Sequence, residues 1–325
     1  MLYVDERLKT LILFSNSFLP ILGNFGDMLG PDIVKRIVEN KFGCSAKDLP
    51  VVDFENKKNT TSASMMADAD AIAAANRRPC CLWTVGSVWR NIRPNDHVWG
   101  SGALGNDWEF DGCYNTTILQ GRQHSNITIY STRGPKSLDS INRLCSGRIN
   151  VPKSGIIEPR GDAGFLIPYI FPEYKYDPTK ADKAKCVIAH YVDIHVLEKK
   201  LTTQKNNFPV KEDDCFPVVQ SWQTMVGNMT RCKVLVSSSL HGIIVADAFG
   251  IPVAWKRSFH LHPYKYEDYF WSFPHGHWNN SYGNYGFALR FPDGMPKPIP
   301  PQERFEYAQG VIKSFPYHLF ETITV

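Results

Sequence analysis

Val234-Leu235-Val236-Ser237-Ser238-Ser239-Leu240-His241-Gly242-Ile243-Ile244-Val245-Ala246-Asp247-Ala248-Phe249-Gly250-Ile251-Pro252 is the stretch that decides the fold. It opens as a β-branched run, the pattern of a buried strand. Three serines interrupt the hydrophobicity, and from Leu240 the period turns helical, with Leu240, Ile243, Ile244 and Ala248 on one face. Gly250 and Pro252 supply a helix stop, and residues 252–255 read as the next strand. In such a unit the residues after the first strand lie at the carboxyl edge of a parallel sheet, where open α/β folds bind ligands. His241 falls in the first turn of the helix, where unpaired N–H groups and the positive dipole end attract an anion and favour a neutral imidazole. The plainer alternative is that the serines only cap the helix and His241 fills the core.

The same alternation extends outward from this unit. Residues 10–14 form an apolar run, and Gly23-Asn24-Phe25-Gly26-Asp27 leads into helical spacing that lasts to residue 42, with Asp27 read as the N-cap. Residues 64–76 read as a helix, residues 81–88 as a strand, and residues 97–103 as another strand leaving on Gly100-Ser101-Gly102. The strand at 127–131 opens into Arg133-Gly134-Pro135, with Pro135 suited to the first helical position. Arg133 therefore stands at a strand end beside a helix start, a good arrangement for phosphate or carboxylate. Prolines 168, 172 and 178 among charges mark residues 168–185 as a linker. Beyond it come a strand at 186–193 ending in His190, a helix at 194–201, a strand at 216–219, a helix at 222–231 and a last helix at 301–313. Strands and helices alternating on both sides of a linker imply an α/β fold of two Rossmann-like α/β/α domains facing a cleft. The N-terminal domain spans residues 1–167, and the C-terminal one residues 186–325 with a tail expected to pack back on the first.

Composition narrows the function. The 325 residues suffice for two cores, and 43% hydrophobic with 21% charged residues is an ordinary globular balance. A net charge of +4 with no basic run argues against a nucleic-acid partner. The apolar stretch at 11–22 is interrupted by Ser15, Asn16 and Pro20, too short for a transmembrane segment, and reads as the first strand and its loop. The 8 cysteines form no C-x-x-C pair and no zinc spacing, so no metal and no disulfide framework is expected. Cys186 and Cys232 read as small hydrophobes at strand starts. Sequons at Asn59, Asn115, Asn126, Asn228 and Asn279 are compatible with a lumenal location without requiring one.

Seven segments in register resemble the polysaccharide pyruvyl transferase family, in its exopolysaccharide branch, from about residue 24 to residue 270. They are Asn24-Phe25-Gly26-Asp27, Val98-Trp99-Gly100-Ser101-Gly102, Arg133-Gly134-Pro135 with Ser137, Gly161-Asp162, Ala189-His190-Tyr191-Val192-Asp193, Ser237 to Gly242, and Lys265 with Asp268-Tyr269. The resemblance implies a GT-B-like fold and transfer of pyruvate from phosphoenolpyruvate to a sugar of a glycan or lipid-linked oligosaccharide, as a cyclic ketal. It implies no cofactor beyond that co-substrate, and a cytoplasmic location or the cytoplasmic face of a membrane, with the Golgi lumen as the eukaryotic alternative. His241 is then the acid/base, with Arg133 and Lys265 as the fixed cations. Ser237, Ser238, Ser239 and Gly242 join Arg133 at the donor, while Asn24, Asp27, Ser101, Gly102 and His190 stand on the acceptor side. His190 serves either as a second acid/base or as a sugar contact. Many members carry Arg where this chain has Ser239, and Lys256, Arg257 and Lys265 are candidates to replace it. A nucleotide-sugar glycosyltransferase of the same fold and a non-catalytic sugar-binding relative are the rival readings.

Overall fold

Short β-branched runs alternating with amphipathic helices build two parallel sheets. The computed structural model describes residues 12–15, 25–43, 45–46, 51–53, 81–87, 97–103, 127–144, 149–150, 158–159, 161–194, 215–218, 220–258, 260–273 and 296–321. The first sheet contains β1 (Ile12–Ser15), β2 (Val51–Asp53), β3 (Cys81–Trp83), β4 (His97–Ser101), β5 (Ile127–Thr132), β6 (Ile149–Asn150) and β7 (Glu158–Pro159). Its order is β2-β1-β3-β4-β5-β6, and β7 also pairs with β5. The second contains β8 (Cys186–Ala189), β9 (Cys215–Pro217), β10 (Leu235–Ser237) and β11 (Val253–Trp255), in the order β11-β10-β8-β9. The protein is therefore α/β with parallel sheets. Strand order reverses between β1 and β3 in one sheet and between β8 and β10 in the other, and such points are where doubly wound sheets open a crevice.

Helix α1 (Phe25–Phe42) follows β1, and α2 (Pro135–Leu144) follows β5. A 3₁₀ turn (Ala163–Leu166) runs into the one-turn α3 (Ile167–Ile170), and α4 (Trp222–Met229) leads to β10. Helices α5 (Leu240–Phe249), α6 (Tyr264–Phe270) and α7 (Pro301–Lys313) complete the set among the described residues. Helix α5 is buried on every side, as its apolar content requires, and stops at Gly250 in the left-handed conformation with φ 72°. Among the described residues no helix is long and apolar enough to cross a membrane. The helix expected at 64–76 lies outside the described residues, as does the one at 194–201 beyond its first residue.

One apolar cluster runs from Leu29, Ile33 and Val34 of α1 through Phe165 and Ile167 to Ile243 and Ile244 of α5. Within the 168–185 segment, Ile170, Phe171 and Ala181 are buried, and the Phe171 ring packs 5.0 Å from that of Trp222. Helix α7 lies against the first sheet. The Trp99 indole N–H donates to Ser314 Oγ (3.0 Å) and to the Val311 carbonyl (3.3 Å), and Phe315 meets Trp99 edge-on at 4.8 Å.

Two expectations are corrected. Cys186 and Cys232 are not separate apolar fillers but a disulfide, with a Cα–Cα distance of 5.9 Å. Strands β8 and β10 are neighbours, so the first residue of β8 comes within bridging range of the chain that leads into β10. Asp27 is not the N-cap of α1, since the helix already begins at Phe25. The Phe25 N–H is satisfied by the Val218 carbonyl at 3.0 Å, so the second half of the chain anchors that helix end.

Candidate active site

The chain segments leaving β8 and β10 meet at the strand-order reversal of the second sheet. The His190 N–H donates to Ser238 Oγ (2.9 Å), and the Ser238 N–H donates to the Ile188 carbonyl (3.0 Å). Ser237 Oγ accepts from the Ser239 N–H (3.0 Å) and donates to the Ser239 carbonyl (2.8 Å), closing a tight turn. A Cβ on Gly242 would stand 2.4 Å from Ser237 Oγ, so only glycine lets the first turn of α5 sit against this serine. Ser239 occupies the N-cap position with φ −93° and ψ 130°, yet its side chain makes no capping bond. Its Oγ is buried without a partner among the described residues. Ser237 and Ser238 thus build the turn, and Ser239 holds a hydroxyl at the helix N-terminus.

His241 is 6% exposed, and its Nε2 has no hydrogen-bond partner among the described residues. Gly26 of α1 is pressed against the imidazole, since a Cβ there would fall 1.8 Å from Nδ1, and the Phe25 ring lies edge-on to it at 6.4 Å. Burial first, then the charges of Lys265 and Arg133, push the imidazole down from 6.5 to about 3. It is neutral at physiological pH and able to accept a proton. His190 is pushed down further, to about 2, by burial, Lys265 and His241. Lys265, on α6, is 6% exposed, with its ammonium 5.1 Å from the Tyr266 ring centroid. Tyr266 in turn donates its hydroxyl to the Ser238 carbonyl (2.6 Å). His190, His241, Lys265 and residues 237–242 therefore form one cluster. Lys256 follows β11 and is also buried, whereas Arg257 is exposed.

Arg133, Ser101 and Gly102 form a second, adjoining cluster. The Arg133 side chain is fully buried, donating from Nε to Asp268 Oδ2 (3.1 Å), from Nη1 to Ser87 Oγ (3.1 Å) and from Nη2 to the Ala103 carbonyl (2.5 Å). Asp268 also accepts from the Ser137 N–H (2.8 Å) and Ser137 Oγ (2.6 Å). Gly102 makes room, because a Cβ there would lie 2.6 Å from the guanidinium carbon. Ser101 Oγ donates to the Gly86 carbonyl (2.8 Å). The guanidinium thus faces protein rather than an open anion site, and its charge reaches His241 through space. Asp162, fully buried nearby, is raised from 3.8 to about 6 by burial, against the pull of Arg133. Asn24 and the side chain of Asp27 lie outside the described residues.

Three residues with parts in this architecture escape a residue-by-residue reading. Asp268 holds Arg133, and apart from its place in a segment that resembles the family it reads in the sequence only as one of two adjacent acids inside an aromatic stretch. Asp193 is 1% exposed and accepts from Ser258 Oγ (2.9 Å), fixing the turn after β8. Tyr191 stands exposed on that turn. Among the described residues, His, Cys, Asp and Glu side chains form no group of three suited to a metal ion. The arrangement offers an anion a helix N-terminus with an unused hydroxyl and a buried lysine, beside a neutral imidazole.

A family model described as polysaccharide pyruvyl transferase matches residues 122–256, which takes in Arg133, His190 and the whole 237–242 turn. A similar protein is the uncharacterized protein L143 of Acanthamoeba polyphaga mimivirus, 36% identical over 75 residues. That stretch is 22% of this chain and 24% of the viral protein, so the chain matches about a quarter of that relative's length.

Proposed function

We propose that the protein transfers pyruvate from phosphoenolpyruvate to a hexose of a glycan, forming a cyclic ketal and releasing phosphate. The observation that carries this reading is the unpartnered His241 Nε2 beside Lys265 at the start of α5, inside the segment that matches the pyruvyl transferase family. Phosphoenolpyruvate is a small polyanion. The α5 N-terminus, Ser239 Oγ and the Lys265 ammonium are suited to hold its phosphate and carboxylate, with Arg133 adding charge from beneath.

In the proposed sequence, C3 of the enol phosphate takes up a proton and C2 becomes electrophilic. A sugar hydroxyl adds to C2 and gives up its proton, and phosphate departs with the C2–O bond electrons. A second hydroxyl of the same sugar adds to C2 and loses its proton, closing the ketal. His241 is neutral in the free protein, so it takes up a proton from solvent before it can supply C3. A bound polyanion favours the imidazolium and raises its pKa, preparing it to donate one. We further infer two α/β/α units of GT-B-like arrangement, divided at residues 168–185, with the acceptor glycan entering between them.

The test is to incubate the protein with phosphoenolpyruvate and a panel of galactosides, glucosides and mannosides, measuring phosphate release and product mass. Sugar-dependent phosphate release with a ketal-modified product supports the reading. Consumption of a nucleotide sugar in its place, with phosphoenolpyruvate untouched, overturns it.

A further inference from the structure

We propose that Tyr191 and His190 form the subsite that receives the acceptor sugar, the tyrosine ring covering an apolar face of a hexopyranose and His190 Nε2–H donating to one of its oxygens. This deepens the proposed function and rests on the protein's handling a sugar beside His241. Four aromatic side chains stand exposed among the described residues: Tyr169, Tyr191, Trp271 and Phe305. Trp271 already carries the Lys136 ammonium 4.7 Å over its ring. Tyr191, 39% exposed, directly follows the strand end that meets the serine turn. Its ring centroid lies 4.4 Å from that of His190, tilted 34°.

The platform is held in place. The Asp193 N–H donates back to the His190 carbonyl (2.8 Å), and the Asp193 carboxylate is tied to Ser258. His190 has its N–H on Ser238, and its Nδ1 accepts from the Val192 N–H (3.4 Å). An accepting Nδ1 puts the ring proton on Nε2 and makes that nitrogen the donor. His190 also stays neutral, because burial and the neighbouring Lys265 and His241 disfavour its charge. With Nδ1 turned to the Val192 N–H, the opposite nitrogen is a fixed donor, which favours the sugar-contact role. An aromatic face offers nothing to phosphate, whereas the C–H face of a pyranose packs on it well and leaves the tyrosine hydroxyl wet.

Saturation-transfer NMR with p-nitrophenyl glycosides of galactose, glucose, mannose and N-acetylglucosamine tests the subsite without phosphoenolpyruvate. Wild-type protein, Tyr191→Ala, Tyr191→Trp and His190→Leu are compared, with circular dichroism as the folding control. We expect the wild type to bind at least one glycoside, Tyr191→Ala and His190→Leu to weaken it about tenfold or more, and Tyr191→Trp to keep it. Calorimetric affinity of Tyr191→Ala for phosphoenolpyruvate should match the wild type. Sugar binding lost with Tyr191, even where no phosphate is released, upholds the subsite while the pyruvyl reading fails. Normal turnover with an unchanged sugar KM in Tyr191→Ala leaves that reading standing and overturns the subsite. No glycoside signal from the wild type overturns it as well.

Discussion

Arg133 and Asp268 stand 135 residues apart in sequence and 3.1 Å apart in space, both fully buried. One follows β5 of the first sheet and the other sits on α6, after the second sheet. The carboxylate also takes the N–H and hydroxyl of Ser137, so every strong donor around it is used. A buried pair satisfied in this way stabilises little relative to an apolar pair, but losing one partner strands a charge. Its role is to fix the carboxyl end of β5 against the helix that carries Lys265.

Arg133→Ala should therefore destabilise the protein by about 3–5 kcal/mol, the usual cost of breaking a buried pair. Urea unfolding of Arg133→Ala, Asp268→Asn and the double variant should give a double-variant loss well short of the sum. Wild-type stability in Arg133→Ala would dismiss the strut.

His241→Asn keeps a neutral polar side chain beside Gly26 and should melt close to the wild type. Its phosphate release should fall by about 100-fold or more, the scale of one lost acid/base group. A folded variant with full turnover removes His241 from the chemistry.

Lys265→Ala should weaken phosphoenolpyruvate binding by about tenfold or more, the loss of a charge-assisted contact. Ser239→Arg, placed where the N-cap hydroxyl now has no partner, should recover part of that affinity in the double variant. Calorimetric titration decides, and the absence of rescue rules out a shared anion.

The disulfide closes a sequence separation of 46 residues between the amino ends of adjacent strands. Loop-closure entropy puts its contribution at about 4 kcal/mol, so the Cys186→Ser, Cys232→Ser double variant should unfold at clearly lower urea. An unchanged midpoint would show that the bridge constrains nothing.

Acid should weaken the fold. His97, His190 and His241 are pushed below 6.5, to about 4, 2 and 3, chiefly by burial. The unfolded chain then binds more protons than the folded one as pH drops below 6.5, so stability is full above that value and lost towards pH 4. Asp162, raised to about 6, and Asp247, raised well above 3.8 by burial, work in the opposite direction and make the fall shallower than three imidazoles alone would give. Melting temperatures from pH 8 to 5 should fall, and less steeply in His241→Asn.

The unit from Leu235 to Trp255 is legible because its local signals agree: β-branched residues, then helical spacing, then Gly250 as a stop. Strands β1, β3, β4, β5, β8 and β9 and helices α1, α2, α4 and α7 follow from the same rules, whereas β2, β6, β7 and α3 are too short to show a period. What escaped is non-local. Nothing beside Arg133 announces Asp268, and nothing in the spacing of Cys186 and Cys232 announces that their strands are neighbours. The α6 helix is masked differently: Tyr266, Tyr269 and Phe270 have helical spacing, but a run so dense in aromatics shows no polar face. At the start of α1, Asp27 has the chemistry of a cap, and the Val218 carbonyl two hundred residues on takes that place.

The contact between Trp99 and the end of α7 bears on how the gene can be cut. An indole with no exposure, hydrogen-bonded to Ser314 at a separation of 215 residues, ties the fourth strand to the end of a helix that the ribosome makes much later. A fragment ending at the 168–185 segment would leave Trp99 uncovered and prone to aggregate. Halves expressed separately should be recovered only when α7 is supplied with the first of them. Recombination between relatives should likewise keep the two distant pieces as one inherited block.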